Sequence, residues 1–119
     1  MAVATKVPLV MTTQVAVSVA GAAALIIPPV DGARVVLLSL VLGATALDTI
    51  QVYEGTVATP AQTLKIGAIP ITNLSTTVIQ CAPAADCLIR TAFDKGIAID
   101  VTGGATVTGM ASYYLEGAP

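Results

Sequence analysis

Ala33-Arg34-Val35-Val36-Leu37-Leu38-Ser39-Leu40-Val41-Leu42-Gly43-Ala44 is the stretch that decides the fold. Read with period 2, Val36, Leu38, Leu40 and Leu42 share one face, and Val35, Leu37 and Val41 share the other. A strand that is apolar on both faces needs cover on both. The first face is expected to enter the core of a β-sandwich. The second is expected to meet a further layer, which in a small all-β chain is often another subunit. Val35, Leu37 and Val41 are therefore the candidate oligomer interface. A buried helix is the competing reading. The β-branched start, the stop at Gly43 and the strand-like segments on either side favour a strand. Arg34 and Asp48 bracket the run, which is shorter than the roughly 20 apolar residues of a membrane-crossing helix.

Outward from this strand, short alternating segments are separated by turn residues. Before it, Thr13 to Ala20 turns Val15, Val17 and Val19 inward, and Ala22 to Ile27 is closed by Pro28-Pro29 and the turn Asp31-Gly32. After it, Asp48 to Thr56 places Ile50 and Val52 inside. Thr63 to Ile71 carries Leu64, Ile66, Ile69 and Ile71, with a kink expected at Gly67 or Pro70. Val78 to Cys81 and Cys87 to Phe93 flank a loop. Gly96 to Thr102 puts Ile97, Ile99 and Val101 on one face. Gly103-Gly104 reads as a hairpin turn, and Thr106 to Glu116 places Val107, Ala111, Tyr113 and Leu115 on the core side. The expected fold is all-β: a single-domain antiparallel β-sandwich, jelly-roll-like, spanning residues 13–119.

Residues 1–12 are expected to form an extended N-terminal arm. Pro8 suits an edge or an unpaired run, and Val3, Val7, Leu9, Val10 and Met11 are too apolar for a free tail, so they are expected to contact a neighbour. The uncharged run from Val7 to Val30 follows Lys6, and Ala20-Gly21-Ala22 could pass for a signal-peptidase site. Pro8, Pro28 and Pro29, with Thr12, Thr13, Gln14 and Ser18, spoil a spanning helix.

The 119 residues suit one domain. Hydrophobic residues make up 55%, charged residues 10%, and mean hydropathy is +0.89. That is far too apolar for a disordered chain and more apolar than a small soluble monomer needs, so a homo-oligomer is expected. The net charge of −2 provides no basic field for nucleic acid or anionic lipid. Aromatics are 3% of the chain, which leaves few platforms for bases or sugars.

The sequence contains no His, so Ser-His-Asp and Cys-His arrangements cannot form within one chain. Asp94 and Asp100 lie close in sequence, but a turn and strand explain them better than a glycosidase pair or a calcium site. Gly103-Gly104 lacks the Lys-Ser/Thr of a phosphate loop. Asn73-Leu74-Ser75 matches a glycosylation sequon, a weak three-residue match. No catalytic, cofactor or metal residues are assigned. Cys81 and Cys87 have five residues between them, which is neither Cys-x-x-Cys nor zinc spacing. Bridged, they would close a short ring worth on the order of 2 kcal/mol. Unbridged, they would be buried thiols of a protein made in reducing cytoplasm.

Three stretches resemble small jelly-roll virion proteins of tailed bacteriophages. They are Arg34-Val35-Val36-Leu37-Leu38-Ser39-Leu40, then Asp48-Thr49-Ile50-Gln51-Val52-Tyr53-Glu54-Gly55-Thr56, and the run from Leu88 to Glu116. The last includes Gly96-Ile97-Ala98-Ile99-Asp100-Val101 and the closing Ser112-Tyr113-Tyr114-Leu115-Glu116. The resemblance covers Thr13 to Glu116 and rests on apolar pattern and glycine placement. The Cys81–Cys87 segment departs from it. It implies a capsid decoration or cement protein, commonly trimeric. Such a protein is made in the bacterial cytoplasm, sits on the virion surface, and contacts the major capsid protein or another virion protein. A tail- or head-fibre or adaptor module, and a carbohydrate-binding β-sandwich, are the alternative functions.

Overall fold

The computed structural model describes residues 12–21, 23–56, 63–80 and 87–117. Nine strands run through them: β1 (Thr13–Ala20), β2 (Ala23–Ile27), β3 (Ala33–Ala44), β4 (Asp48–Gly55), β5 (Thr63–Ile71), β6 (Thr77–Gln80), β7 (Ile89–Arg90), β8 (Gly96–Val101) and β9 (Thr106–Gly117). Two antiparallel sheets result. Sheet A has the order β1-β9-β3-β6, with β7 also on β3; sheet B has the order β2-β8-β4-β5. Strands β6 and β7 lie along different stretches of β3 and together act as one interrupted strand. The chain changes sheet at most connections, and only β4 and β5 pair directly with their chain neighbour across a loop. Eight effective strands alternating between two facing sheets make a jelly-roll sandwich. The turn at Gly103-Gly104 is thus a corner between sheets and not a hairpin, because β8 belongs to sheet B and β9 to sheet A.

Between the sheets lies one core, contributed by every strand that alternates cleanly. Val17 and Val19 of β1, Ile50 and Val52 of β4, Ile97, Ile99 and Val101 of β8, and Val107 and Ala111 of β9 are all buried in it. This is the inward set that period 2 predicts. Leu64, one of the apolar residues of β5, lies outside this set. Ile50 pairs with Ile69, Val52 with Ile66 and Tyr53 with Leu64, so β5 carries extra residues at two bulges. They shift its phase and bring Leu64 to the outer side beside Tyr53, where it is exposed. Leu115 faces inward opposite Val35 but lies near the end of the sheet and stays partly exposed.

The central strand itself holds the largest correction. Its register against β9 runs Val35↔Leu115, Val36↔Tyr114, Leu37↔Tyr113, and then resumes at Ser39↔Ser112, Leu40↔Ala111 and Val41↔Met110. Leu38 is therefore the extra residue of a β-bulge, and the alternation changes phase across it. Val35 and Leu37 before the bulge, and Leu40 and Leu42 after it, all enter the core. Val36 and Val41 turn outward with their partners on β9. The expected interface set of Val35, Leu37 and Val41 is thus split: Val35 and Leu37 are core residues, and only Val41 faces out.

Gly109 marks the tightest approach within sheet A. A Cβ there would sit 1.8 Å from the Val41 carbonyl oxygen, so only glycine lets β9 run this close to β3.

Candidate interaction face

Cross-strand register places the outward side chains of sheet A in rows. One row is apolar throughout: Val78 on β6, Val41 on β3, Met110 on β9 and Ala16 on β1. Val78, Val41 and Met110 are 55%, 38% and 45% exposed. The row beside it is polar and small: Gln80, Ser39, Ser112 and Gln14. On the other side Gly43, Thr108 and Ser18 line up. Branched and thioether side chains in adjacent rungs of a pleated sheet touch across strands and form a continuous strip. An apolar strip on the outer face of a sheet signals a contact surface more than isolated apolar residues do.

Toward the β3 start, the strip gives way to charge. Val36 faces outward between Arg90 and Tyr114 yet is fully buried. Next to it, Arg34 and Glu116 are opposite one another, and Arg34 Nε donates to Glu116 Oε1 at 2.6 Å. A second arginine, Arg90, has its Nε 3.6 Å from the same oxygen. The Arg34 guanidinium also stands over the Phe93 ring, 4.9 Å from its centroid. These groups are about a third exposed, so their pairing fixes geometry more than it adds stability. They form a charged rim at one end of an otherwise uncharged face.

Two polar devices hold the ends of the sandwich rigid. At one end the Asp48 carboxylate accepts from Thr49 N–H at 2.7 Å, Gly103 N–H at 2.9 Å, Ala105 N–H at 3.1 Å and Thr102 Oγ1 at 3.2 Å. These donors hold the Asp48 pKa below its ordinary value, the Thr49 amide first, then Ala105; desolvation opposes them, and Gly103 and Thr102 add smaller lowering contributions. A Cβ on Gly103 would lie 2.6 Å from Asp48 Oδ2, so a side chain there would push the carboxylate out of its present position. At the other end the buried Thr91 hydroxyl accepts from Val35 N–H at 3.0 Å and donates to the Ala92 carbonyl at 2.9 Å. Glu54, also buried, accepts from Ala92 N–H at 2.9 Å and pairs with Lys65 Nζ at 2.6 Å. All these carboxylates are committed to backbone or lysine partners. Asp94 is a turn residue at φ 65° that accepts from Gly32 N–H, while Asp100 is the penultimate residue of β8, opposite Gln51. The sandwich gives them separate structural places.

Among the described residues, no group of three or more His, Cys, Asp or Glu is placed to hold a metal ion. Tyr53 is buried on the outer side of sheet B, and its hydroxyl donates to Gln51 Oε1 at 2.7 Å, so it offers no open stacking platform. Of the other expected contact residues, Val3, Val7, Leu9, Val10 and Met11 of the arm lie outside the described residues. So does Cys81, while Cys87 is half-buried. Sequence reasoning missed Val78 and Met110. Parity would have found Met110, since placing Val107, Ala111 and Tyr113 inward leaves it facing out. Val78 could be placed only once β6 was known to pair with β3.

No family model matches the chain, and no curated protein matches it. Among solved structures, one described as "CBM4 structure and function" is similar, with a TM-score of 0.41 and 14% identity over 88% of this chain and 84% of that chain. At that level of likeness the match assigns no function.

Proposed function

We propose that this chain is a non-enzymatic structural protein that works by burying the outer face of sheet A against a larger assembly. The assembly is the head of a tailed bacteriophage, on which the protein acts as a decoration or cement protein held by the major capsid protein. The observation that carries the reading is the strip Val78–Val41–Met110–Ala16, an exposed apolar row on a sheet face between rows of small polar groups. The jelly-roll strand order supports the virion part, because that is the fold the resemblance of Arg34 to Leu40, Asp48 to Thr56 and Leu88 to Glu116 implies.

The mechanism is mass action. A protein that binds only the assembled shell stabilises it by RT ln(1 + [L]/Kd). Many copies on one particle add their effects, and a homo-oligomer gains by avidity. Few charges cross an uncharged strip, so affinity changes little with ionic strength. The test is co-sedimentation of purified protein with heads that lack it, at two salt concentrations, for the wild type and Val41→Asp. The expected result is saturable, salt-insensitive binding that protects heads from heat and is lost in Val41→Asp while its β circular dichroism is kept. Binding that is absent, or undiminished in the variant, overturns the reading. Binding to tails or fibres alone moves the protein to the fibre or adaptor class.

A further inference from the structure

We infer that strand β1 is an edge-to-edge docking site for β1 of a second copy of this chain, paired antiparallel about a two-fold axis at Ala16. A sheet edge offers unpaired backbone groups to any other strand, and folded proteins guard such edges with bulges, prolines, charges or short strands. The other three edges of this sandwich carry those guards. Strand β5 has two bulges, Lys65 and Pro70. Strand β2 is five residues long, is bulged at Leu25/Ile27, and runs into Pro28-Pro29. The β6/β7 edge consists of pieces of four and two residues. Strand β1 carries none of them. Its eight residues pair with β9 in unbroken register from Thr13↔Tyr113 to Ala20↔Thr106. It has no charge, proline or glycine, and among the described strands its only partner is β9.

The faces restrict the register to two-folds centred on a residue, and the apolar strip selects among them. A continuous sheet must place inward residues opposite inward residues, so only residues of the same parity can face each other across the two-fold. Centring on Ala16 sets Ala16 opposite Ala16, Gln14 opposite Ser18, and Val15 opposite Val17. This register also joins the apolar strips of the two copies end to end: Val78, Val41, Met110 and Ala16, then the same four in reverse. The outer face of sheet A thereby doubles in length without a break. The contact is isologous and closes at two copies, in place of the threefold assembly that the resemblance suggests. It does not rest on the virion reading, since it concerns the protein alone in solution.

Sedimentation velocity on the full chain, with the cysteine variants below made in a Cys81→Ser, Cys87→Ser background that replaces the two native thiols, tests it. The wild type should sediment as a dimer of the 11.9 kDa chain. Ala16→Lys puts two like charges on the two-fold and should weaken association by about a hundredfold with unchanged β circular dichroism. Directly opposed residues of an antiparallel pair have Cα atoms about 5 Å apart, within disulfide reach. Ala16→Cys should therefore give an oxidised dimer on a non-reducing gel that the double-serine background does not. Gln14→Cys alone should not, because its own copy across the axis is about 13 Å away. The pair Gln14→Cys with Ser18→Cys should crosslink again. A wild type that is monomeric at tens of micromolar overturns the inference, as does a dimer in which Ala16→Cys fails to crosslink. Should Ala16→Lys fail to fold, the cysteine series still decides.

Discussion

Replacing Leu37 and Val41 singly with alanine measures the phase change that the Leu38 bulge imposes on β3. Leu37 is fully buried, faces the core opposite Tyr113 and Ile89, and belongs to the central apolar cluster. Truncating a core leucine loses transfer free energy and leaves a cavity, together costing about 3 kcal/mol. A domain of this size has a total stability of about 5–15 kcal/mol, so the loss is a large share and should lower Tm by about 10 °C. Val41 is 38% exposed and faces outward with Met110 and Val78. Its truncation should change stability by no more than about 0.5 kcal/mol. An unbroken period 2 puts Leu37 and Val41 on one face and predicts like effects. Urea unfolding followed by circular dichroism, at concentrations low enough to suppress association, separates the two. Equal losses, or a larger loss for Val41→Ala, would refute the bulge and the face assignment built on it.

Thr91→Val keeps the volume but leaves the buried Val35 N–H without its acceptor, and should cost about 1–3 kcal/mol in the same unfolding assay. Asp48→Asn tests the clamp by its pH dependence. The hydrogen bonds lower the folded-state pKa, so the carboxylate stabilises the fold above its unfolded value of 3.8, and the contribution fades as pH falls through the folded value. The variant should be less stable than the wild type at pH 7, and the gap should narrow below about pH 4. A gap that stays constant down to pH 2 would contradict this linkage.

Much of the fold was legible because alternation and turn residues agree along most of the chain. Strands such as Thr13–Ala20, before Gly21, and Ala33–Ala44, after Asp31-Gly32, follow from β-branched and apolar runs next to turn residues. Phase within a strand was not legible where both parities are apolar. Leu37-Leu38-Ser39-Leu40 reads equally well with or without an extra residue, and only the partner strand reveals that Leu38 is unpaired in register. In β5 one bulge falls between Ile66 and Ile69, at the Gly67 where a kink is expected, whereas the other, between Leu64 and Ile66, is defined only against β4 and leaves no mark in Leu64-Lys65-Ile66. Gly103-Gly104 announced a turn but not which sheet the chain would enter next. The strip on sheet A joins residues up to 94 positions apart, from Ala16 to Met110, so it exists only once the strand order is known.

Electron microscopy of heads of a tailed bacteriophage that encodes the chain is the decisive test of the proposed role. A reconstruction of the head should show this sandwich on the outer shell, with Val41, Val78 and Met110 of sheet A buried against the capsid. A head without the protein, or one that carries it with this face turned to solvent, would contradict the account.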